Sequence, residues 1–294
     1  MHYTYPIVRP FHANERIMLE VTVGCTHNRC KFCSFYKNTP FRVAPMSQIE
    51  EDLQEIKRRY PGAKSLYALG GDPFTLSVHR LKEIGNLIRQ YLPEASISTY
   101  ARVTSITSKS VEELKELRAI GWNDLAIGIE SGDDEALSLM NKGYTSADIL
   151  RECKKLEEAN INYYFIYLGG LTGRGNCERN ALNTAAVVNQ LHPCCMYLSS
   201  LMVIPGTELG NMVEAGEFSE ATELERLNEM LSLVKALKNP IILDARSEAN
   251  PVNFVANLPK DREVLIRELE KIINSFSSKD EQNLRHYRES MSKM

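Results

Sequence analysis

The chain has 294 residues, of which 43% are hydrophobic and 25% charged, and its formal net charge is −3. A dedicated nucleic-acid-binding protein usually carries a basic excess, so the composition argues against that class, although it does not exclude a local basic groove. The N-terminal region has no apolar segment long enough for a signal peptide or a membrane span. We therefore expect a cytoplasmic protein with no membrane partner.

Short apolar runs alternate with amphipathic helical stretches from Ile17 to about Ile204. This alternation predicts repeated βαβ units with right-handed crossovers and a parallel sheet. An open doubly wound sheet and a (β/α) barrel both fit, but six units are too few for the complete eight-fold barrel. The predicted strands are 17–23, 65–71, 96–101, 124–130, 161–170 and 195–204, and the predicted helices are 47–60, 78–92, 110–121, 145–160 and 177–191.

Three of the predicted helices open with the pattern of a capping box, in which a side-chain oxygen accepts from an exposed amide and an acid reaches back. The pairs are Ser47 with Glu50, Ser110 with Glu113, and Thr145 with Asp148.

The pattern changes after Ile204, where the sequence predicts a helix over 222–237, a short strand over 241–245 and a helix over 260–276. The segment 244–254 contains Arg246, Asn250 and Asn253; it either selects substrate over a site or simply connects two elements. The last eighteen residues are polar and charged, so we expect a frayed tail. The expected organisation is a lead-in at 1–16, a core at 17–205, an extension that closes the core at 206–276 and a tail at 277–294.

Three of the seven cysteines, Cys25, Cys30 and Cys33, fall within nine positions directly after the first predicted strand. Chemistry in parallel α/β folds lies at the carboxyl ends of strands, so this position favours a functional site. In a reducing compartment, clustered thiols bind metal or perform redox chemistry more often than they form disulfides.

Three interpretations of the cysteine cluster compete. A structural zinc site needs four ligands, and His27 is the only nearby candidate for the fourth. Three unligated thiols would be open to oxidation with no gain in packing. A [4Fe–4S] cluster held by three cysteines would leave one iron open to a small molecule, and open metal sites are the catalytic ones.

The cysteine segment resembles the cluster loop of the radical S-adenosylmethionine (SAM) superfamily, although its CxxxxCxxC spacing is one residue longer than the usual CxxxCxxC. Phe32, directly before the last cysteine, also matches the superfamily pattern. The resemblance implies that the backbone of this residue meets the adenine of SAM.

The sequence "LGGDPF" at the end of the second predicted strand is similar to the GGE motif of the same superfamily. The resemblance implies that Gly70 and Gly71 let the backbone approach the methionine amino group of SAM, since glycine has no side chain to obstruct it. Asp72 stands where the superfamily often has glutamate. By itself, GGD after a strand is also a common turn sequence.

Two further segments resemble the oxygen-independent coproporphyrinogen oxidase-related and elongator-type tRNA-modifying branches, namely "GIESGDDEALSLMNKGYT" and "YLGGLTG". The match implies that Glu130 contacts the ribose or amino group of SAM and that Lys142 provides a cation for its carboxylate. It also implies that Gly169 belongs to a glycine-rich turn beside the adenine. Without the resemblance, Glu130 would be a solvated carboxylate and Lys142 a surface lysine.

The resemblance covers residues from about 15 to 210 and implies a partial (β/α)6 TIM-type barrel that carries a [4Fe–4S] cluster and SAM at its strand ends. It implies an oxidoreductase or transferase in which the reduced cluster cleaves SAM to methionine and a 5′-deoxyadenosyl radical. Such an enzyme works anaerobically and needs flavodoxin or ferredoxin as reductant.

The substrate class remains open between a small molecule and a macromolecule, either tRNA or a peptide. No cysteine follows Cys195, so we expect no auxiliary-cluster domain, and we expect neither a cobalamin-binding nor an acetyltransferase domain. A zinc-bound or purely structural protein on the same scaffold is the third hypothesis.

Overall fold

The structure is a computed structural model and describes residues 1–4, 7–8 and 16–291. Contacts between Cα atoms divide the chain into two compact units. The first unit consists of residues 1–28, 35–128 and 151–164, and the second consists of residues 29–34, 129–150 and 165 onward.

Within these described ranges, eight strands belong to one sheet, and two short strands form a separate hairpin. Most of the sheet strands are buried on both faces, which is the pattern expected where helices cover a parallel sheet. The sheet strands are β1 (Ile17–Glu20), β4 (Ser65–Leu69), β5 (Ser96–Ala101), β6 (Trp122–Glu130), β7 (Asn162–Gly169), β8 (Cys195–Ser200), β9 (Ile241–Asp244) and β10 (Val255–Leu258); the hairpin strands are β2 (Thr22–Val23) and β3 (Arg42–Val43).

Eleven helices occur in the described part of the chain. They are α1 (Met46–Arg59), α2 (Val78–Tyr91), α3 (Val103–Thr107), α4 (Val111–Ala119), α5 (Asp134–Leu139), α6 (Ser146–Glu158), α7 (Cys177–Val188), α8 (Glu208–Glu214), α9 (Glu223–Ala236), α10 (Arg262–Ser275) and α11 (Ser278–Met291).

In the first unit, β1, β4, β5 and β6 are neighbours in that order, and each adjacent pair is parallel. Trp122 at the start of β6 is fully buried and donates from its indole nitrogen to the Leu81 carbonyl of α2 at 3.1 Å. This bond satisfies the polar atom of a side chain that otherwise fills the core.

In the second unit, β7, β8 and β9 are parallel and β10 pairs with β9 in the antiparallel sense. Helices α7 and α9 pack against each other. A separate apolar cluster joins α5, α8 and the segments after β7 and β8 through Met140, Leu171, Leu201 and Leu209, with the Phe32 ring packed against it.

All six strands predicted before residue 205, and the one over 241–245, are present. The capping boxes of Ser110 with Glu113 and of Thr145 with Asp148 form in both directions. The predicted box of Ser47 with Glu50 is wrong, because α1 begins one residue earlier, after Pro45, with no side-chain cap.

The expected frayed tail is also wrong for residues 278–291, which form α11. Glu281 accepts hydrogen bonds from the Glu223 and Leu224 amides at the start of α9, and Arg288 forms a buried ion pair with Glu223. Residues 292–294 lie outside the described residues, as does most of the predicted lead-in at 1–16. Among the described residues, no helix combines the length and the apolar character needed to cross a bilayer.

Candidate cofactor site

The cysteine loop is divided between the two units: Cys25 belongs to the first, and Cys30 and Cys33 to the second. None of the three cysteines forms a disulfide, and all three are half-buried. Half-buried cysteines outside any disulfide can supply the thiolates that hold an iron–sulfur cluster, so the donor set fits such a cluster. Across residues 1–4, 7–8 and 16–291, no three His, Cys, Asp or Glu side chains are gathered as metal ligands. The use of these three cysteines by one cluster therefore stays a prediction.

The part of the loop in the second unit is anchored through Lys31. Its amide donates to the Met140 carbonyl at 3.2 Å, and its carbonyl accepts from the Leu209 amide at 2.9 Å. Between these bonds, Cys33 closes a turn by donating from its amide to the Cys30 carbonyl at 3.2 Å. The end of α5 and the start of α8 thus fix the backbone between the last two cysteines.

The part of the loop in the first unit is held by the turn after β4. The Gly71 amide donates to the Gly24 carbonyl at 3.0 Å, and Thr26 donates to the Asp72 carboxylate at 3.2 Å. Asn28 has a positive φ of 44°, which asparagine tolerates, and its side-chain amide donates to the Tyr36 carbonyl at 2.6 Å. These bonds fix the backbone of residues 24–28 within the first unit.

Gly70 and Gly71 are required by the protein's own packing. At Gly70, φ is +150° and an added Cβ would overlap the Thr22 hydroxyl oxygen. At Gly71, an added Cβ would lie 2.6 Å from both the Gly24 carbonyl oxygen and the Tyr36 ring. Close approach by protein atoms thus accounts for both glycines, and their contact with SAM stays a prediction.

Asp72 is completely buried in the first unit. Its carboxylate accepts from the Ser105 hydroxyl at 2.7 and 2.6 Å, from the Arg102 amide at 3.3 Å and from Thr26. Burial raises the pKa of this carboxyl group, whereas the bond from Ser105 opposes the rise. The visible role of Asp72 is to fix the residue that follows Cys25, and direct contact with the cofactor stays a prediction.

Three predicted site residues do meet in the second unit. The Lys142 ammonium lies 3.1 Å from a Glu130 carboxylate oxygen, and its nitrogen lies 5.8 Å from the centre of the Phe32 ring. Tyr144, which the sequence analysis missed, places its ring centre 5.6 Å from the same nitrogen. It lies two residues beyond Lys142 in "NKGY", a segment predicted as neither helix nor strand, so no periodic pattern identifies it. The buried Lys142 ammonium thus lies beside the Glu130 carboxylate and the two aromatic rings.

Glu130 adopts an unusual backbone conformation at the end of β6, with φ of +60°. Side chains other than glycine and asparagine rarely occupy this left-handed region, and the strain costs of the order of 1 kcal/mol. Such conformations concentrate at functional sites. The half-buried Glu130 side chain is thereby turned toward Lys142.

Gly169, at the end of β7, has room that Gly70 and Gly71 lack. An added Cβ would meet its nearest atom, a Glu229 carboxylate oxygen, at 3.5 Å, which is ordinary van der Waals contact. The peptide after Gly169 is bound by two buried side chains of α9, Arg226 and Glu229, which the sequence analysis also missed.

The segment 244–254 is tied to the end of β8. Asn250 donates to the Leu198 and Ala245 carbonyls, both at 2.9 Å, and accepts from Ser200 at 3.0 Å. Arg246 forms two bonds to the Asp244 carboxylate at 2.9 and 2.6 Å, and its guanidinium remains largely exposed. The segment is therefore an ordered connection that presents one arginine to its surroundings.

Comparison with known proteins identifies distant relatives. An uncharacterized protein of Methanocaldococcus jannaschii is 23% identical over 259 residues, which are 84% of this chain and 76% of that protein. The heme chaperone HemW of Bacillus subtilis is 25% identical over 201 residues, which are 65% of this chain but only 52% of HemW. The chain thus spans about half the length of HemW.

Among solved structures, coproporphyrinogen III oxidase (HemN) from Escherichia coli superposes on 75% of this chain and 52% of its own, with a TM-score of 0.53 and 18% identity. This similarity supports the predicted α/β fold, a partial barrel of the TIM type built on a mainly parallel sheet.

The model of the radical SAM superfamily matches residues 19–180, which are more than half of the chain and run from within β1 to within α7. Its members are enzymes that use SAM and a [4Fe–4S] cluster. The chain belongs to the radical SAM superfamily.

Proposed function

We propose that Cys25, Cys30 and Cys33 hold the [4Fe–4S] cluster through their thiolates. Thiolates are the usual protein ligands of such clusters, and the three cysteines leave one iron open. When bound together, cluster and SAM supply a 5′-deoxyadenosyl radical by reductive cleavage of SAM, which also yields methionine. The chain's own task is to orient SAM and to exclude water and oxygen.

The observation that carries the proposal is the contact of Lys142 with Phe32. Phe32 lies between two of the cysteines, and its ring faces the buried Lys142 ammonium. A cation beside the cluster loop is suited to bind the carboxylate of SAM, because a buried ammonium is a strong partner for an anion. Glu130 orients the Lys142 side chain and offers an acceptor for hydroxyl or amino groups of SAM.

Gly169 provides an open backbone surface for the adenine of SAM. Gly70, Gly71 and Asp72 form the turn after β4 that holds the residues on either side of Cys25. The bound cofactors would supply hydrogen abstraction from a small-molecule substrate, and Arg246 in segment 244–254, whose guanidinium is largely exposed, would suit an anionic one. The enzyme needs an external electron donor of the flavodoxin or ferredoxin type and anaerobic conditions.

The alternative substrate is a macromolecule, because relatives in the superfamily include a tRNA-2-methylthio-N(6)-dimethylallyladenosine synthase. The formal net charge of −3 favours the small molecule, since binding of tRNA depends on neutralising many phosphates. Adding a purified tRNA pool or a metabolite extract to the SAM-cleaving enzyme separates the two, because substrate accelerates cleavage.

The experiment that tests the proposal is anaerobic. The protein is reconstituted with iron and sulfide, reduced with dithionite and mixed with SAM, and 5′-deoxyadenosine is measured by mass spectrometry. We expect product from the wild type and from Cys194→Ala, a matched change at an exposed cysteine outside the loop, but none from Cys30→Ala. A protein that binds one zinc ion and assembles no iron–sulfur cluster would overturn the proposal.

Gly169→Ala tests the position of SAM independently of turnover. The protein accommodates the added methyl group, so the melting temperature should stay within a few degrees of the wild type. If SAM lies over this glycine, the dissociation constant measured by equilibrium dialysis should rise at least about tenfold. Unchanged binding would remove Gly169 from the site.

A further inference from the structure

Helix α9 buries two charged side chains, Arg226 and Glu229, each with 1% of its surface exposed. They lie three positions apart and therefore share one face of the helix. Removing an ion from water costs several kcal/mol unless it is paired and hydrogen-bonded. Two such residues in the segment after the barrel core, beyond the span of the family model, need a physical explanation.

Both side chains bind the same peptide group, the one between Gly169 and Gly170. The Arg226 guanidinium donates to the Gly169 carbonyl at 3.0 Å, and a Glu229 carboxylate oxygen accepts from the Gly170 amide at 2.6 Å. The Gly169 carbonyl also accepts from the Leu201 amide at 2.8 Å. Every polar atom of this peptide is therefore engaged within the protein.

The Glu229 carboxylate is itself held from the other side. Its second oxygen accepts from the Tyr167 hydroxyl at 2.6 Å and from the Asn180 side-chain amide at 2.7 Å. Burial raises the pKa of Glu229, while these bonds and the Gly170 amide oppose the rise. One strand residue, one turn residue and one helix residue, namely Tyr167, Gly170 and Asn180, thus determine where the carboxylate points.

The turn leaves little alternative to this arrangement. Gly170 has φ of +76°, and a Cβ at this position would overlap the Arg226 guanidinium. Rotation of the peptide plane would turn the carbonyl toward Glu229 and the amide toward Arg226, which replaces two attractive contacts with two repulsive ones. The arginine and the glutamate together permit one orientation of the peptide.

We propose that Arg226 and Glu229 are positioning residues that lock the Gly169–Gly170 peptide, so that Gly169 presents its Cα surface, and no peptide polar atom, to SAM. The inference rests on the proposed function, because it takes this turn to lie beside SAM. It assigns to α9, in the C-terminal extension, a direct part in shaping the cofactor site. SAM is recognised at this turn by shape and van der Waals contact.

The first test uses hydrogen exchange of the cluster-free protein, measured by mass spectrometry on the peptide that spans residues 166–176. In Arg226→Met and Glu229→Gln, the Gly170 amide loses its fixed partner or its fixed geometry. Exchange in this peptide should therefore accelerate at least about tenfold, while exchange in β4 and β5 stays unchanged. Lys235→Met is the matched control, because Lys235 lies on the same helix in an exposed pair with Glu270. Acceleration in every peptide would show a general loss of stability and overturn the inference.

The second test measures SAM binding to the anaerobically reconstituted protein by equilibrium dialysis without reductant. We expect the dissociation constant to rise at least about tenfold in Arg226→Met and in Glu229→Gln, and less than about threefold in Arg226→Lys, which keeps a donor for Gly169. Variants that bind SAM like the wild type would overturn the positioning role. Failure of the wild type itself to bind SAM would instead refute the proposed function. If Arg226→Met does not fold, the comparison of Glu229→Gln with Arg226→Lys decides.

Discussion

The Lys142 ammonium forms an ion pair of 3.1 Å with the Glu130 carboxylate, and only 5% of the lysine side chain is exposed. Lys142 follows α5, whereas Glu130 ends β6 in a left-handed conformation. Lys142 is therefore a buried cation, and the strained backbone at the end of β6 places the Glu130 carboxylate beside it. Backbone strain and buried charges concentrate at functional sites, so this pair supports the proposed SAM site.

Lys142→Met should weaken SAM binding and lower stability. The change leaves Glu130 without its cation, and breaking a pair that is largely buried costs about 3 kcal/mol in the free energy of unfolding, measured by urea denaturation. The dissociation constant of SAM should rise at least about tenfold, with the iron and sulfide content unchanged.

The double variant Glu130→Gln with Lys142→Met supplies the control for that prediction. Because both charges are removed, its stability should recover part of the loss, whereas SAM binding should not recover. Recovery of SAM binding in the double variant would contradict a direct role for the lysine.

Gly70→Ala should destabilise the first unit through packing alone, so it does not test whether Gly70 contacts SAM. The new Cβ would overlap the Thr22 hydroxyl at a φ of +150°, so overpacking and backbone strain together should cost about 2 to 4 kcal/mol in thermal or urea unfolding. Thr22→Ala added to it should restore only part of the stability, because the Thr22 carbonyl oxygen would still lie 2.9 Å from the Cβ. A fully stable Gly70→Ala variant would show that the turn can relax and would contradict the packing explanation.

The sequence predicts the parallel sheet well because its strands are continuous apolar runs bounded by turns. It misses β10, whose four residues follow Pro251 and pair with β9 only at the edge of the sheet. It misjudges α11 because polar composition alone does not show that Glu281 and Arg288 find partners at the start of α9. Contacts distant in the chain decide the structure of these short or polar segments.

Residues of the candidate site can be predicted where they belong to a recognisable sequence motif. Helix α9 shows why the other residues near the site cannot. Its pattern of leucines suggests that charged residues face solvent, yet Arg226 is buried while Leu224 is 37% exposed. The reason is the polar peptide at Gly169–Gly170, which Arg226 and Glu229 bind, and nothing in the sequence of α9 records that peptide.

Lys109 should make stability depend on pH in the alkaline range. Burial lowers the pKa of this lysine to about 8, although its ammonium donates to the Phe74 and Ser105 carbonyls at 2.8 Å. From about pH 8 to about pH 10 the unfolded chain keeps the proton that the folded chain loses, so the free energy of unfolding should rise with pH, by at most about 3 kcal/mol from this group. Below about pH 8 both states are charged and the contribution is constant.

The measurement compares urea unfolding of the wild type and of Lys109→Met over that pH range in a reducing buffer. Other lysines and tyrosines titrate in both proteins, so only the difference between the two reports on Lys109. The difference should grow in favour of the wild type as pH rises. A difference independent of pH would show that Lys109 keeps its ordinary pKa in the folded protein.

Glu281→Ala should loosen the start of α9. The Glu281 carboxylate accepts from the Glu223 amide at 2.9 Å and from the Leu224 amide at 3.2 Å, two of the amides that a helix start leaves without partners. Losing a charged acceptor at a helix N-terminus costs about 1 to 2 kcal/mol, to be measured as the free energy of unfolding in urea. Glu289→Ala, on the same helix, removes an exposed pair with Arg285 and should cost less than about 0.5 kcal/mol. Equal losses in the two variants would mean that α11 stabilises the protein through general packing and does not cap α9.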